Sequence, residues 1–184
     1  IVGEPTAMAI ATGHKGKTAI EAACVGSAAH SALAPQAVNA IHLACDLITQ
    51  IRHLQDDMIT DGAQDSAYDI PYTTLHAGLI TSGVALNIVP DHAVVTFEIR
   101  NLAADDPEAI LYRLRRAIAP VIAVARKRAA EADIVFKVIN SYPGLETSLD
   151  EGVVAMVAEL TGHDERIKVA FGTEGGLFSQ RLGI

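Results

Sequence analysis

The chain has 184 residues, half of them apolar, only 4% aromatic and none of them tryptophan. That length suits one large or two small domains, with an Ala/Val/Ile/Leu core big enough to need no covalent staple. With 22 acidic side chains against 14 basic ones the net charge is −8, which argues against a nucleic-acid partner. No apolar run approaches the roughly 20 residues of a membrane-crossing helix, so no membrane partner is expected.

In chain order, IVGEPT opens on an apolar pair that reads as the tail of a buried strand. Residues 17–25, KTAIEAACV, form a strand-like run closed by Gly26. After the small-residue stretch SAAHSALAP, residues 36–54 carry Val38, Ile41, Leu43, Leu47, Ile51 and Leu54 near helical spacing, with Pro35 at the entrance. Residues 56–70 are polar and Gly-bearing and read as a loop. Residues 71–80 read as a strand, 81–91 as a turn region, and 92–100, HAVVTFEIR, as a strand with period-two alternation. Residues 105–132 read as a helix capped by Asp105 or Asp106, with Pro107 early and a kink or break expected at Pro120. Residues 133–142, DIVFKVINSY, read as a last strand, and Pro143-Gly144 as punctuation.

The order over 17–142 is β-α-β-β-α-β, which predicts a ferredoxin-like unit: a four-stranded antiparallel sheet with two helices on one face. The flanks do not belong to it. Residues 148–162 read as a capped helix, 167–171 as a short strand, and GTEGGLFSQRLG as a turn into a helix ending at Gly183, with a new strand at Ile184. The fold class expected is therefore α/β (α+β), a ferredoxin-like unit inserted into a partial α/β domain. The boundaries expected are 1–14 and 144–184 for the α/β segments and 15–143 for the insert. Both ends fall inside apparent hydrophobic elements, so the chain reads as a piece of a larger protein. Cys24 and Cys45, without CxxC spacing, are expected to be free buried thiols in a reducing cytoplasm.

Several residues carry chemical potential with a plainer alternative beside it. Glu4 follows the first apolar pair, where an α/β sheet gathers ligands and metals, yet it also reads as a solvated turn carboxylate. His30, among alanines, either bonds to backbone or does chemistry. Arg100 ends an apolar strand and suits a carboxylate, or a surface ion pair; Asn87 brackets the same strand. FGTEGG could cradle an anion at a helix N-terminus, although it is neither a Walker motif nor a dinucleotide fingerprint. His14 and His76 read as strand-end or strand-face residues, and His42, His53, His92 and His163 as helix or surface positions. No two histidines stand at zinc-site spacing.

IVGEPT, HKG, AAHSALAP, AVNAI, ALNIVPD, FEIR and VAFGTEGGLFSQRLGI occur in that order. Together they resemble the M20 metallopeptidase family over essentially the whole chain. The resemblance implies a metal-dependent amidohydrolase acting on a small N-acyl amino acid, with the insert serving as lid and homodimerisation domain. It implies a two-metal site, usually zinc and otherwise cobalt, with Glu4 as one ligand. His30 would enter the partner subunit's site and stabilise an oxyanion. Asn87 and Arg100 would bind substrate from the lid, and Gly172 and Thr173 from the catalytic segment. The family's His-x-Asp, Glu-Glu pair and C-terminal metal histidine have no counterpart here. The chain by itself is therefore expected to be inactive and to hold no metal tightly. Within the enzyme reading the alternative is another M20 amidohydrolase, a desuccinylase or a carboxypeptidase; the competing class is a non-catalytic ferredoxin-like module that dimerises or senses a metabolite.

Overall fold

The structure is a computed structural model that describes residues 1–183; the strand expected at Ile184 lies outside the described residues. The chain runs through β1 (Ile10–His14), β2 (Lys17–Val25), the two-residue β3 (Ala29–His30), a 3-10 helix (Ser31–Gln36) and α1 (Ala40–Thr60). It continues through β4 (Thr74–Ser82), β5 (Ile88–Val89), β6 (His92–Arg100), α2 (Pro107–Ala125) and β7 (Asp133–Tyr142). It closes with β8 (Leu145–Glu146), α3 (Gly152–Thr161), β9 (Arg166–Val169) and α4 (Gly175–Leu182).

The large sheet has the order β4-β6-β2-β7, antiparallel throughout, which is the ferredoxin-like arrangement the segment order predicts. Period-two alternation puts Ala93, Val95, Phe97 and Ile99 of β6, with Ile20, Ala22 and Cys24 of β2, on one face. The helices cover that face. α1 brings Leu43, Leu47, Ile51, Leu54 and Met58, and α2 brings Ile110, Leu111, Leu114 and Ile118. Phe97 meets Phe136 of β7 edge to face, with centroids 6.4 Å apart. Burying each of these large side chains stabilises the unit by roughly 1.5–3 kcal/mol before entropy is counted.

The flanks form a second, small sheet of order β8-β1-β9, in which β1 runs parallel to β9 and antiparallel to β8. The chain crosses between the sheets twice, at 15–16 and 143–144, and the two crossings touch. A Cβ on Gly16 would lie 2.9 Å from the Gly144 backbone nitrogen and 2.5 Å from Asn101 Oδ1, so the close approach needs a bare Cα there. A charged clasp reinforces the junction from the loop after α1. Lys168 on β9 donates to Asp65 at 2.6 Å and to Glu146 at 2.5 Å. Buried Lys15 donates to the carbonyls of Ile70 and Tyr72 at 2.9 and 2.6 Å. Both ammonium groups sit 5.5 Å from the Tyr68 ring centre. The Lys168 contact holds the Asp65 carboxyl below its ordinary range against the opposing effect of burial.

Several expectations need correction. Residues 1–9 form no strand, and Ile1 is exposed; the first strand, β1, comes later. α1 starts at Ala40, capped by the Asn39 side chain on the Ile41 N–H at 2.8 Å, because Pro35 and its neighbours close a separate 3-10 turn. It also runs on to Thr60, since Met58 continues the apolar face one turn beyond Leu54; residues 56–60 are thus helix rather than loop. α2 is unbroken at Pro120. The carbonyl deprived of its partner, that of Arg116, is on the solvent side, and the buried seam from Leu111 to Ala125 holds the helix on both sides. Both cysteines are free, but only Cys24 is buried; Cys45 faces outward from α1.

Candidate functional site

The residues singled out in the sequence fall into two groups and one outlier. His30 and Asn87 form the first group. β3 pairs antiparallel with β5, His30 opposite Ile88, and the Ser31 N–H donates to the Asn87 carbonyl at 2.9 Å. His30 is exposed and caps the 3-10 helix, its Nδ1 accepting the Ala32 N–H at 3.2 Å. An accepting Nδ1 leaves the proton of the neutral ring on Nε2, so a free N–H donor faces outward. The residues from Ser31 to Gln36 include no buried side chain, and the small ones let another surface come close to that donor.

Arg100, Gly172 and Thr173 form the second group. Arg100 ends β6 at the opposite end of the sheet. Its Nε donates to Glu98 Oε1 at 2.9 Å and its Nη1 to the Tyr142 hydroxyl at 3.0 Å; a longer Nη2 contact reaches Glu98 Oε2 at 3.4 Å. Partial burial alone would lower the Arg100 pKa, but Glu98 and Tyr142 outweigh it and raise it. Burial likewise pushes the Glu98 carboxyl up, and Arg100 with Lys17 more than reverses that. Tyr142 also meets the 171–175 loop: a Cβ on Gly172 would overlap its ring, so the bare Cα of Gly172 packs there. A cleft of about 380 Å³ opens beside this group, lined by Lys15, Ile70, Thr74, Arg100, Ala170 and Phe171.

The two groups are far apart. β6 has nine residues, and eight steps of about 3.3 Å separate its ends by about 26 Å. Val25 faces His92 at the His30 end, while Thr74 faces Arg100 at the other. An N-acyl amino acid is about 10 Å long and cannot touch both groups of one chain.

The 171–175 loop is not an open anion cradle. The Gly175 N–H is taken by Thr173 Oγ1 at 3.0 Å and the Gly176 N–H by His14 Nε2 at 3.3 Å, so donors at the start of α4 are already paired inside the chain. His14 is itself buried, and its Nδ1 stands 3.0 Å from the Lys15 carbonyl, which fixes the Nδ1–H tautomer. Glu4 is the outlier, on a short turn closed by the Thr6 N–H to its carbonyl at 2.8 Å, not behind a strand. Among the described residues no three His, Cys, Asp or Glu side chains gather as a metal-ligating cluster. The described residues therefore do not fit a two-metal centre on their own. Tyr142 and His14 were missed as site residues. Tyr142 closes an apparent edge strand, and the only cue in the sequence was the Pro-Gly pair after it.

An antiparallel ferredoxin-like sheet joined through paired crossings to a small mixed sheet defines a two-part α/β protein. Its chain path matches that of the aminopeptidase PepT from Bacillus cereus, at a TM-score of 0.67 and 23% identity, covering 93% of this chain and 42% of that one. A tripeptidase from Staphylococcus aureus matches at a TM-score of 0.65 and 24% identity over 96% of this chain and 43% of that chain. Residues 12–124 match the M20 peptidase dimerisation domain, and the chain belongs to that family. Among its relatives is an acetylornithine deacetylase from Myxococcus xanthus, 30% identical over 95% of this chain and 44% of that protein. A probable carboxypeptidase from Arthroderma gypseum is 31% identical over 95% of this chain and 38% of that protein. The chain thus spans less than half the length of these relatives.

Proposed function

We propose that this chain supplies the lid and part of the substrate-binding wall of a metal-dependent M20 amidohydrolase that deacylates N-acetyl-L-ornithine to ornithine and acetate. In this reading residues 15–143 are the lid, 1–14 and 144–184 are segments of the catalytic domain, and the enzyme is a homodimer. The observation that carries it is the division of the candidate residues between the two ends of one sheet. At one end Arg100 keeps two of its five N–H groups beyond those that Glu98 and Tyr142 accept, enough for a forked grip on a substrate carboxylate at the cleft. At the other end the outward Nε2–H of His30 suits an acyl oxygen that becomes an oxyanion as the amide is attacked. Both ends serve one substrate when two copies of the chain face each other. The edge strand β4 and the turn after it expose Leu79, Ile80, Val84 and Leu86 toward the His30 end, a surface that suits such pairing.

Glu4 would be a ligand of the zinc or cobalt pair only together with donors outside these residues, so no chemical step is assigned to it. A second reading, a carboxypeptidase, is favoured by the Arthroderma relative and by the same Arg100, because a peptide's C-terminal carboxylate needs the same grip. The experiment is turnover by the complete protein on N-acetylornithine, other N-acetylated and N-succinylated amino acids, and dipeptides. A kcat/KM for N-acetylornithine at least tenfold above the others supports the deacetylase. A preference for dipeptides replaces it with the carboxypeptidase, and turnover of none removes both.

A further inference from the structure

Tyr142 stands between two parts that the sequence places 72 residues apart, and its two sides do different things. Its hydroxyl oxygen accepts the Arg100 Nη1–H at 3.0 Å from the large sheet. Its ring lies against the bare Cα of Gly172 in the loop that leads into α4, so that any side chain at 172 would drive the ring away. The tyrosine is held in place from behind as well, as the last residue of β7, paired with Lys17 of β2 and followed by Pro143. Glu98 takes the Nε–Nη2 edge of the planar guanidinium, so Tyr142, on Nη1, is the third contact and fixes the tilt of the whole group about that edge. The loop that meets Tyr142 is itself pinned from inside by Thr173 and His14.

We infer that Tyr142 is a positioning residue that sets the guanidinium of Arg100 against the 171–175 loop, so that a substrate carboxylate is gripped strongly only while the loop is seated on the tyrosine ring. The inference rests on the reading of Arg100 as a carboxylate binder and adds the residue that aims it. Its chemistry is specific. The phenol oxygen supplies the acceptor, the ring supplies the wall, and the absence of a Cβ at 172 lets the two meet. A phenylalanine keeps the wall and removes the acceptor; an alanine at 172 keeps the acceptor and displaces the wall.

The test uses the complete protein with Tyr142→Phe, Arg100→Gln and the double variant, assayed on an N-acyl amino acid and on the corresponding carboxamide. Loss of one hydrogen bond to a charged group predicts about a tenfold rise in KM for the acid in Tyr142→Phe, with kcat within about twofold and no change for the carboxamide. Adding Tyr142→Phe to Arg100→Gln should change nothing further, because the tyrosine acts through the arginine. Equal effects on acid and carboxamide, or additive effects in the double variant, overturn the inference. A complete protein that turns over no acylated amino acid defeats the proposed function instead. The link is then read from the Arg100 side-chain N–H signals of arginine-labelled protein. Faster exchange in both Tyr142→Phe and Gly172→Ala, with unchanged thermal unfolding of Tyr142→Phe, supports the link, and unchanged exchange overturns it.

Discussion

Two inactive variants of the complete protein should restore activity to each other on mixing, and the amount is fixed by geometry. The perturbations are His30→Ala, which removes the outward Nε2–H, and Arg100→Gln, which removes the forked donor at the far end of β6. Because about 26 Å separates these ends, a site that uses both residues must draw them from different chains. In a two-fold dimer each site then pairs Arg100 of one chain with His30 of the other. Removing one oxyanion donor costs about 10²- to 10³-fold in kcat, so His30→Ala keeps about 1% of activity at most. Arg100→Gln loses two charge-assisted hydrogen bonds to the substrate carboxylate, so below the raised KM it also keeps about 1% or less. Random mixing makes about half of the dimers hybrid by the binomial rule. In each hybrid one site carries both lesions and the other carries none, so about a quarter of wild-type activity should return. The assay is initial rate after dissociation and remixing of differently tagged variants, with hybrids quantified by sequential affinity capture. Activity that stays at the level of the parents while hybrids make up half of the dimers refutes the trans arrangement, and with it the role given to His30.

The clasp at the sheet junction is sensitive to acid. Asp65 has a carboxyl held below its ordinary range by Lys168, so its stabilising contribution is present above that range and is lost as the pH falls through the lowered value. Asp65→Asn should therefore cost about 1 kcal/mol at neutral pH, and its unfolding curve should converge on wild type in acid; a difference that persists in acid would show that the group acts as packing. The two cysteines should react differently. Burial raises the Cys24 thiol to about 12, while Cys45 is exposed, so a thiol reagent should titrate one equivalent in the native chain and a second only on unfolding; two fast equivalents would mean that β2 opens.

What the sequence revealed follows the strength of its periodic signals. The central strands at 17–25 and 92–100 and the strand at 133–142 are bounded as read, because each alternates or runs apolar over nine or ten residues between turn signals. The start of α2 is equally legible, since Asp106 caps Glu108 at 2.9 Å and Pro107 follows as expected. The two-residue strands β3, β5 and β8 have no period to read; long-range pairing alone creates them. β1 escaped for another reason: Thr12, Gly13 and His14 are buried in succession, so the strand shows no alternation and carries polar residues inside. At the site, the kinds of residue were legible and their grouping was not. That Arg100 meets the loop through Tyr142, and that His30 meets Asn87 through a ladder of two residues, are facts of tertiary pairing.

Under the proposed function, the stiffness of the sheet is the reason one chain would carry two half-sites instead of a site. A nine-residue antiparallel strand backed by Leu114, Ile118, Leu47 and Ile51 is stiff, so its two ends cannot fold toward each other to enclose a small substrate. A stiff spacer is useful when its ends face different neighbours. The Arg100 end is welded by Gly16, Gly144 and the Lys168 clasp to the segment that carries Gly172 and Thr173, so those groups keep a fixed relation within the chain. At the His30 end every residue from Ser31 to Gln36 is exposed, and the apolar turn beside it lies open. In the proposed reading the first end is held within the chain and the second is received by a partner copy. In the proposed dimer a second copy, related by a two-fold axis, would present the Arg100 end where the first presents the His30 end, and two sites would be completed at once by a single rigid sheet design.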